Sequence, residues 1–328
     1  MFEKELEIGQ NAVIEAMRVC KTIQEELSSA DSITKSDKSP VTIADFASQA
    51  IICRILKENF PDIPIVAEEN SGALQKPEHE EILKKILLYI ANDRKLKKIL
   101  NKENLFHSID LGGSEPTNDI FWTLDPIDGT KGFLRSEQFA IALALIVKGE
   151  AQLGILGCPN LKFPGNKSRH GLLFFAVKGR GTKLRDIESG KAQAVEVSNI
   201  TNPGKMRFVE SYVSAHSNQE MQLQIASILK MEQAPIQMDS QVKYGVVAAG
   251  NAEIYIRIPH PKTPDYREKI WDHAAGTIIV EEAGGVVTDI FGKKLDFSVG
   301  KTLKDNRGVF ASVPSIHDRI LEIIKELN

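Results

Sequence analysis

The chemistry most readable in this chain lies in Asp125-Pro126-Ile127-Asp128-Gly129-Thr130. The run Ile120 to Leu124 predicts a strand that ends on Asp125. Pro126 then fixes the backbone and Gly129 permits an unusual angle or a close approach, so the two carboxylates can converge on one point. Asp, Pro and Gly are also ordinary turn residues, and the hexapeptide alone fits a plain turn. Other carboxylates occupy similar positions. Glu68-Glu69 follow the short apolar strand Ile65-Val66-Ala67, with Glu69 expected to face outward or to support Glu68. Asp272 stands at a helix start in Trp271-Asp272-His273-Ala274-Ala275-Gly276, where the helix dipole by itself favours a carboxylate.

If these segments meet, Glu68, Asp125, Asp128 and Asp272 share one site. Clustered like charges disfavour ionisation, and divalent cations relieve that. With oxygen ligands and no His or Cys at the matching spacings, the ion expected is Mg²⁺ rather than Zn²⁺. Magnesium on a few carboxylates is what phosphoryl chemistry uses, to activate water, neutralise phosphate oxygens and hold the leaving oxygen. Gly129-Thr130-Lys131-Gly132 opens a short helix whose free N–H groups make a phosphate cradle. The Thr130 hydroxyl can orient a water and Asp45 can take the proton. Thr42-Ile43-Ala44-Asp45 equally fits a helix capping box, and both roles stay open at this point.

The elements that must position these groups follow from periodicity. Helical spacing predicts helices over 2–28, 42–59 and 77–100, the second with Ala47, Ile51, Ile55 and Leu56 as its apolar stripe. The polar stretch Asp31 to Thr42 reads as a loop. A short helix is expected around Gly129–Ser136, a hairpin from Phe139–Val147 and Gln152–Cys158, and a strand pair from Leu172–Val177 and Thr182–Leu184. Lys162–Arg169 reads as an exposed loop. Beyond about residue 200 strands (207–212, 253–258, 285–288, 308–312) alternate with helices (217–230, 240–250, 271–283, 316–327). The first half therefore reads as α+β and the second as α/β, with domains at 1–200 and 201–328.

Composition narrows the class. A chain of 328 residues, 42% apolar and 26% charged, is globular and long enough for about two domains. A net charge of −3 argues against a general binder of nucleic-acid polymers. Cys20, Cys53 and Cys158 are scattered, without a CxxC, and read as buried thiols. The acidic N-terminus is not a signal peptide, and the run Phe139 to Val147 is far short of the ~20 residues that span a bilayer. No membrane partner is expected, and the expected compartment is the cytoplasm.

On Ala67-Glu68-Glu69, Asp125 to Thr130, and Trp271-Asp272 with Ala274-Ala275-Gly276 and Glu281-Glu282-Ala283-Gly284-Gly285, the chain resembles the lithium-sensitive, magnesium-dependent phosphatases of the inositol monophosphatase superfamily. Within it, Asp125 to Arg135 with Gln138-Phe139-Ala140, Leu156 to Leu161, Ser214 to Ser217, Asp239 to Tyr244 and Arg267 to Ile270 are similar to the 3′(2′),5′-bisphosphate nucleotidases. The resemblance implies a layered α/β/α/β/α sandwich of the sugar-phosphatase type. It implies two or three Mg²⁺ ions, Glu68, Asp125 and the Ile127 carbonyl on the first, and Asp125, Asp128 and Asp272 on the second, with Li⁺ as inhibitor. Asp45 and Thr130 would activate water, and the backbone of Gly129 and Thr130 would hold the scissile phosphate. His216, Ser240, Lys243 and Arg257 would hold the nucleoside and its 5′-phosphate, the C-terminal domain thus carrying Asp272 and the nucleotide contacts. Lys243 and Arg257 bring charge suited to a second phosphate, although each taken singly also reads as a surface or capping residue. The implied reaction takes the 3′-phosphate from adenosine 3′,5′-bisphosphate, a small-molecule substrate, with 3′-phosphoadenylyl sulfate as a second one. The rivals are an inositol phosphate phosphatase and a catalytically dead nucleotide sensor.

Overall fold

The computed structural model describes residues 1–26, 32–34, 40–91, 101–116, 119–163, 171–212 and 217–327. Helix α1 (Glu3–Glu26) buries Val13, Met17, Cys20 and Ile23, the face its spacing predicts. β1 (Ser32–Thr34) and β2 (Pro40–Thr42) pair antiparallel within the stretch read as a loop. Three-residue strands are too short to leave a period-2 signature. Thr42 caps α2 (Ile43–Asn59), its hydroxyl accepting from the Ala44 N–H at 3.1 Å. The first turns of α2 are buried all round rather than along a stripe, Ser48 and Gln49 included, and Ile55 is only half-buried.

β3 (Ile65–Ala67) leads through a short 3₁₀ turn at Pro77–His79 into α3 (Glu80–Ala91). The rest of the helix expected to residue 100 lies outside the described residues. A further helix, α4 (Lys102–Asp110), starts on an Asn101 cap and was not foreseen. Then come β4 (Ile120–Asp128), α5 (Thr130–Leu134), β5 (Ala140–Val147), β6 (Glu150–Cys158), β7 (Leu172–Val177), β8 (Thr182–Asp186) and β9 (Ala192–Val195). Among the described residues these seven strands form one sheet in chain order from β3 to β9. β3 runs parallel to β4, and every other neighbouring pair is antiparallel.

The remaining elements are β10 (Val209–Glu210), α6 (Gln219–Ile228), β11 (Ile236–Gln237), α7 (Val242–Ala248), β12 (Ile254–Arg257), α8 (Ala274–Glu282), β13 (Val286–Thr288), β14 (Val309–Ser312) and α9 (Pro314–Leu327). β14 lies between β12 and β13 and is antiparallel to both, so the two strands joined through α8 run parallel with β14 between them.

Burial sorts these elements into five layers. α1 and α2 pack Val13, Met17, Ile51 and Leu56 against Trp122, Leu143 and Ile155 of the large sheet. α7 and α8 pack Tyr244, Ile278 and Ile279 against Ala142, Ala144 and Phe174 on its other face, and against Tyr255 and Ala311 of the small sheet. Ile254, Ile256 and Phe310, the alternate residues of that small sheet, face Ile225 of α6 and Ile320 and Ile324 of α9. The middle layer needs a close approach: a Cβ at Gly276 would sit 2.2 Å from the Tyr244 ring. The sequence is thus an α/β/α/β/α sandwich, and α7 and α8 from beyond residue 200 share a core with the first sheet.

Candidate active site

The site begins with strand register. Parallel pairing sets Ala67 opposite Leu124, so Glu68, just past the end of β3, comes beside Asp125 within β4. β4 pairs with β5 as Asp125 to Ala142 and Asp128 to Ala140, so that Pro126 and Ile127 on one strand stand against Ile141 alone on the other. In a regular strand residues three apart point to opposite faces. The extra residue brings Asp125 and Asp128 to the same side, the re-aiming that bulges achieve beside active sites. The Ile127 N–H donates to Asp125 Oδ1 at 3.2 Å, and Ser48 Oγ donates to the Pro126 carbonyl at 2.8 Å, so the bulge is fixed from inside and from α2.

Gly129 follows with φ 86°, in the left-handed region where glycine is the least strained residue. A Cβ there would meet Ser240 Cβ at 2.8 Å. Ser240 is itself buried with φ 72°, a conformation that costs a non-glycine residue of order 1–3 kcal/mol. The next residue, Gln241, donates its N–H to Asp128 Oδ2 at 2.6 Å and its side-chain amide to the Trp271 carbonyl at 2.9 Å. One residue thereby links the acidic turn to the segment carrying Asp272.

Glu68, Asp125, Ile127, Asp128, Gly129, Thr130, Ser240, Lys243, Arg257 and Asp272 line one cavity of about 410 Å³. Asp45 stands just behind. Its Oδ2 accepts from the Thr42 N–H and hydroxyl at 2.8 and 2.6 Å, completing the capping box, while its Oδ1 faces the Thr130 hydroxyl at 3.4 Å. The capping role and the role toward Thr130 therefore use different oxygens and coexist. The same hydroxyl lies 3.2 Å from the Ile127 carbonyl. Asp272 is not a cap: His273 occupies that position, with no side-chain cap bond. His216 lies outside the described residues. Glu69 does not face outward; it is buried, and its backbone N–H and carbonyl are both held by the Gln49 amide at 3.0 and 2.6 Å.

Both signs of charge line this cavity. Burial, reinforced by Glu68, Asp128 and Asp272, raises the Asp125 carboxyl well above its ordinary range. Burial and then Asp128 do the same to Asp272. Lys243 Nζ donates to the Ser240 carbonyl at 2.7 Å, burial lowers its pKa to about 8, and its charge favours the Asp128 carboxylate. Arg257 binds Glu268 at 3.0 Å.

Residues 4–328 match the inositol monophosphatase family. The chain belongs to that family. It is 41% identical over 347 residues to a 3′(2′),5′-bisphosphate nucleotidase of Oryza sativa, covering 100% of this chain and 96% of the relative. It is also 41% identical over 336 residues to one of Schizosaccharomyces pombe, covering 98% and 95%. Among solved structures it superposes on an IMPase of Thermotoga maritima with a TM-score of 0.67 at 21% identity, covering 100% of this chain and 98% of that one. An inositol monophosphatase from Anabaena gives 0.64 at 20%, covering 99% and 96%. The five-layer sandwich is therefore this family's fold.

For this family member the donor set fits a hard divalent cation: it offers oxygens only, from carboxylates and the Ile127 carbonyl, and burial and mutual repulsion disfavour the charged forms of Asp125 and Asp272. Among the described residues the tightest cluster of ligand types is a different one: Glu268, Asp272 and His273 bring ligand atoms within 4.8 Å of one another. Both ring nitrogens of His273 are already engaged, by Tyr244 Oη at 2.7 Å and Glu268 Oε2 at 3.1 Å, which leaves the quartet around Asp125 better suited to metal. Sequence reasoning missed Ser48, Gln49 and Gln241 as supports. Polar residues in a helix as apolar as α2 were the available signal.

Proposed function

We propose that this chain is a Mg²⁺-dependent phosphatase that converts adenosine 3′,5′-bisphosphate and water to AMP and phosphate, with 3′-phosphoadenylyl sulfate as a second substrate. The observation that carries the reading is the shared cavity: a carboxylate cluster together with Lys243 and Arg257 on one lining suits a substrate bearing two phosphates. The names of the full-length relatives support it. Glu68, Asp125 and the Ile127 carbonyl would hold one Mg²⁺, and Asp125, Asp128 and Asp272 another. The bound ions would supply charge neutralisation at the phosphate oxygens, a lowered pKa for water and stabilisation of the leaving oxygen.

The chain's own residues do the rest. The backbone N–H groups of Gly129 and Thr130 hold the scissile phosphate. Thr130 Oγ1 accepts a hydrogen bond from the attacking water and relays its proton to Asp45 Oδ1, whose other oxygen stays fixed by the cap. Water attacks phosphorus as the bond to the 3′-oxygen breaks; that oxygen leaves as the AMP hydroxyl after taking a proton from solvent water, and Asp45 returns the proton it accepted to solvent, so one water is consumed for each phosphate released. Lys243, Arg257 and Ser240 hold the 5′-phosphate and nucleoside, and His216 joins them in this reading. Li⁺ inhibits by occupying a cation position. The buried, free thiols of Cys20, Cys53 and Cys158 accord with the cytoplasmic compartment we assign. Among the described residues no helix is long and apolar enough to cross a membrane.

The test is phosphate release from adenosine 3′,5′-bisphosphate and inositol 1-phosphate in parallel, with and without Mg²⁺. Faster Mg²⁺-dependent release from the nucleotide is expected. Faster release from the inositol ester would overturn the substrate assignment, and binding without release would leave a sensor.

A further inference from the structure

Arg257 is the last residue of β12 and lines the cavity, yet its guanidinium is not free to move: NH2 lies 3.0 Å from Glu268 Oε2. Its Nε is buried and makes no hydrogen bond among the described residues, so the group keeps unused donor capacity. Glu268 is 5% exposed and does not line the cavity. The same Oε2 accepts from His273 Nε2 at 3.1 Å. A carboxylate only accepts, so Nε2 carries the proton and Nδ1 accepts from the Tyr244 hydroxyl at 2.7 Å. His273 is 0% exposed and Tyr244 is likewise buried. The chain Arg257–Glu268–His273–Tyr244 therefore ties together three segments that each put a neighbouring side chain into the cavity. Arg257 does so directly, His273 through Asp272, and Tyr244 through Lys243.

We infer that Glu268 is a positioning residue, which orients Arg257 toward the non-reacting phosphate of the substrate and registers it against Asp272 and Lys243. The inference rests on the bisphosphate reading of the cavity. An arginine fork binds phosphate well only when its plane is fixed, and a carboxylate on its far edge fixes it without meeting substrate. The aromatic and imidazole partners hold that carboxylate in turn. A buried network of this kind, in which Arg257 Nε is the one buried donor left unused, favours one geometry.

The experiment is a double-mutant cycle on full-length protein with Glu268→Gln, Arg257→Ala and both together, kinetics being measured on adenosine 3′,5′-bisphosphate and inositol 1-phosphate with Mg²⁺. Glu268→Gln nearly preserves volume and the bond to His273, and a thermal melt verifies folding. The expected result is KM for the bisphosphate raised about tenfold with kcat changed less than about threefold, and KM for the inositol ester changed less than about threefold. In the Arg257→Ala background Glu268→Gln should add less than about twofold, because the residue it orients is gone. Equal losses on both substrates, or full additivity in the cycle, would overturn the role and leave Glu268 as a packing residue. If Glu268→Gln fails to fold, Glu268→Asp replaces it in the cycle under the same criteria. A wild-type chain that turns over only the inositol ester would sink the nucleotide reading and this role with it, a result distinct from either of those.

Discussion

The carboxylates and the cations of the cavity solve opposite electrostatic problems. Asp125, Asp128 and Asp272 are gathered by register, bulge and the Gln241 link, and burial and mutual repulsion push Asp125 and Asp272 toward the neutral form. Lys243 and Arg257 offset part of this at Asp128, and Arg257 does so at Asp272. Arg257 in turn has Glu268, and Lys243 has the Ser240 carbonyl. The carboxylates keep a repulsion that an entering cation relieves, whereas the guanidinium is held in place before anything arrives.

Substitutions can break this contrast. Asp125→Asn should lower kcat/KM for the nucleotide by on the order of a thousandfold, the scale expected on losing a principal electrostatic group. It should leave the melting temperature of the metal-free protein unchanged or raise it, because a like charge has been removed. Phosphate release and a thermal melt check both halves, and a large loss of stability would contradict the picture. Thr130→Val should reduce kcat on the order of a hundredfold with little change in KM, as the hydroxyl next to Asp45 is lost while the fold is kept. Single-turnover phosphate release reads this directly.

Lys243→Ala should raise KM for the bisphosphate by on the order of tenfold, matching a lost charge-assisted contact, and alter KM for inositol 1-phosphate far less. The same lysine predicts a pH effect. Burial lowers its pKa to about 8, so the ammonium is present below that pH and is lost as pH rises through it. KM for the bisphosphate, measured from pH 7 to 9.5, should therefore climb above about pH 8 in the wild type and stay flatter in Lys243→Ala. Metal binding sharpens the carboxylate side of the comparison: Mg²⁺ at about 100 times its Kd adds roughly 2.7 kcal/mol by mass action. Calorimetry should show that increment in wild type and a markedly smaller one in Asp125→Asn.

How much could be read beforehand depended on range. Asp125 and Asp128 were legible because they are neighbours in the chain on a strand with a proline and a glycine. Asp45 was legible as a cap, but its second oxygen meets Thr130, 85 positions away, and no local pattern encodes that. Glu69 was expected to face outward or to support Glu68. Gln49, twenty positions earlier, holds its backbone and buries it. The strands β1 and β2 and the helix α4 escaped because short elements leave too few residues for a period to emerge. Lys243 and Arg257 had no local signature at all, and only resemblance to known sequences singled them out.

The sequence by itself determined the inventory: which strands and helices bury an apolar face, where chain direction must change, and which acidic side chains stand at the ends of strands. These follow from spacing within a few residues, where covalent geometry dictates which side chains share a face. Tertiary structure alone decided that the inventory makes one pocket. It placed Glu68 beside Asp125 through parallel register, turned Asp128 to the same side with one extra residue, and brought Gln241 to Asp128 across 113 positions. Such contacts depend on how layers pack over long separations, and no local stretch of sequence contains that information.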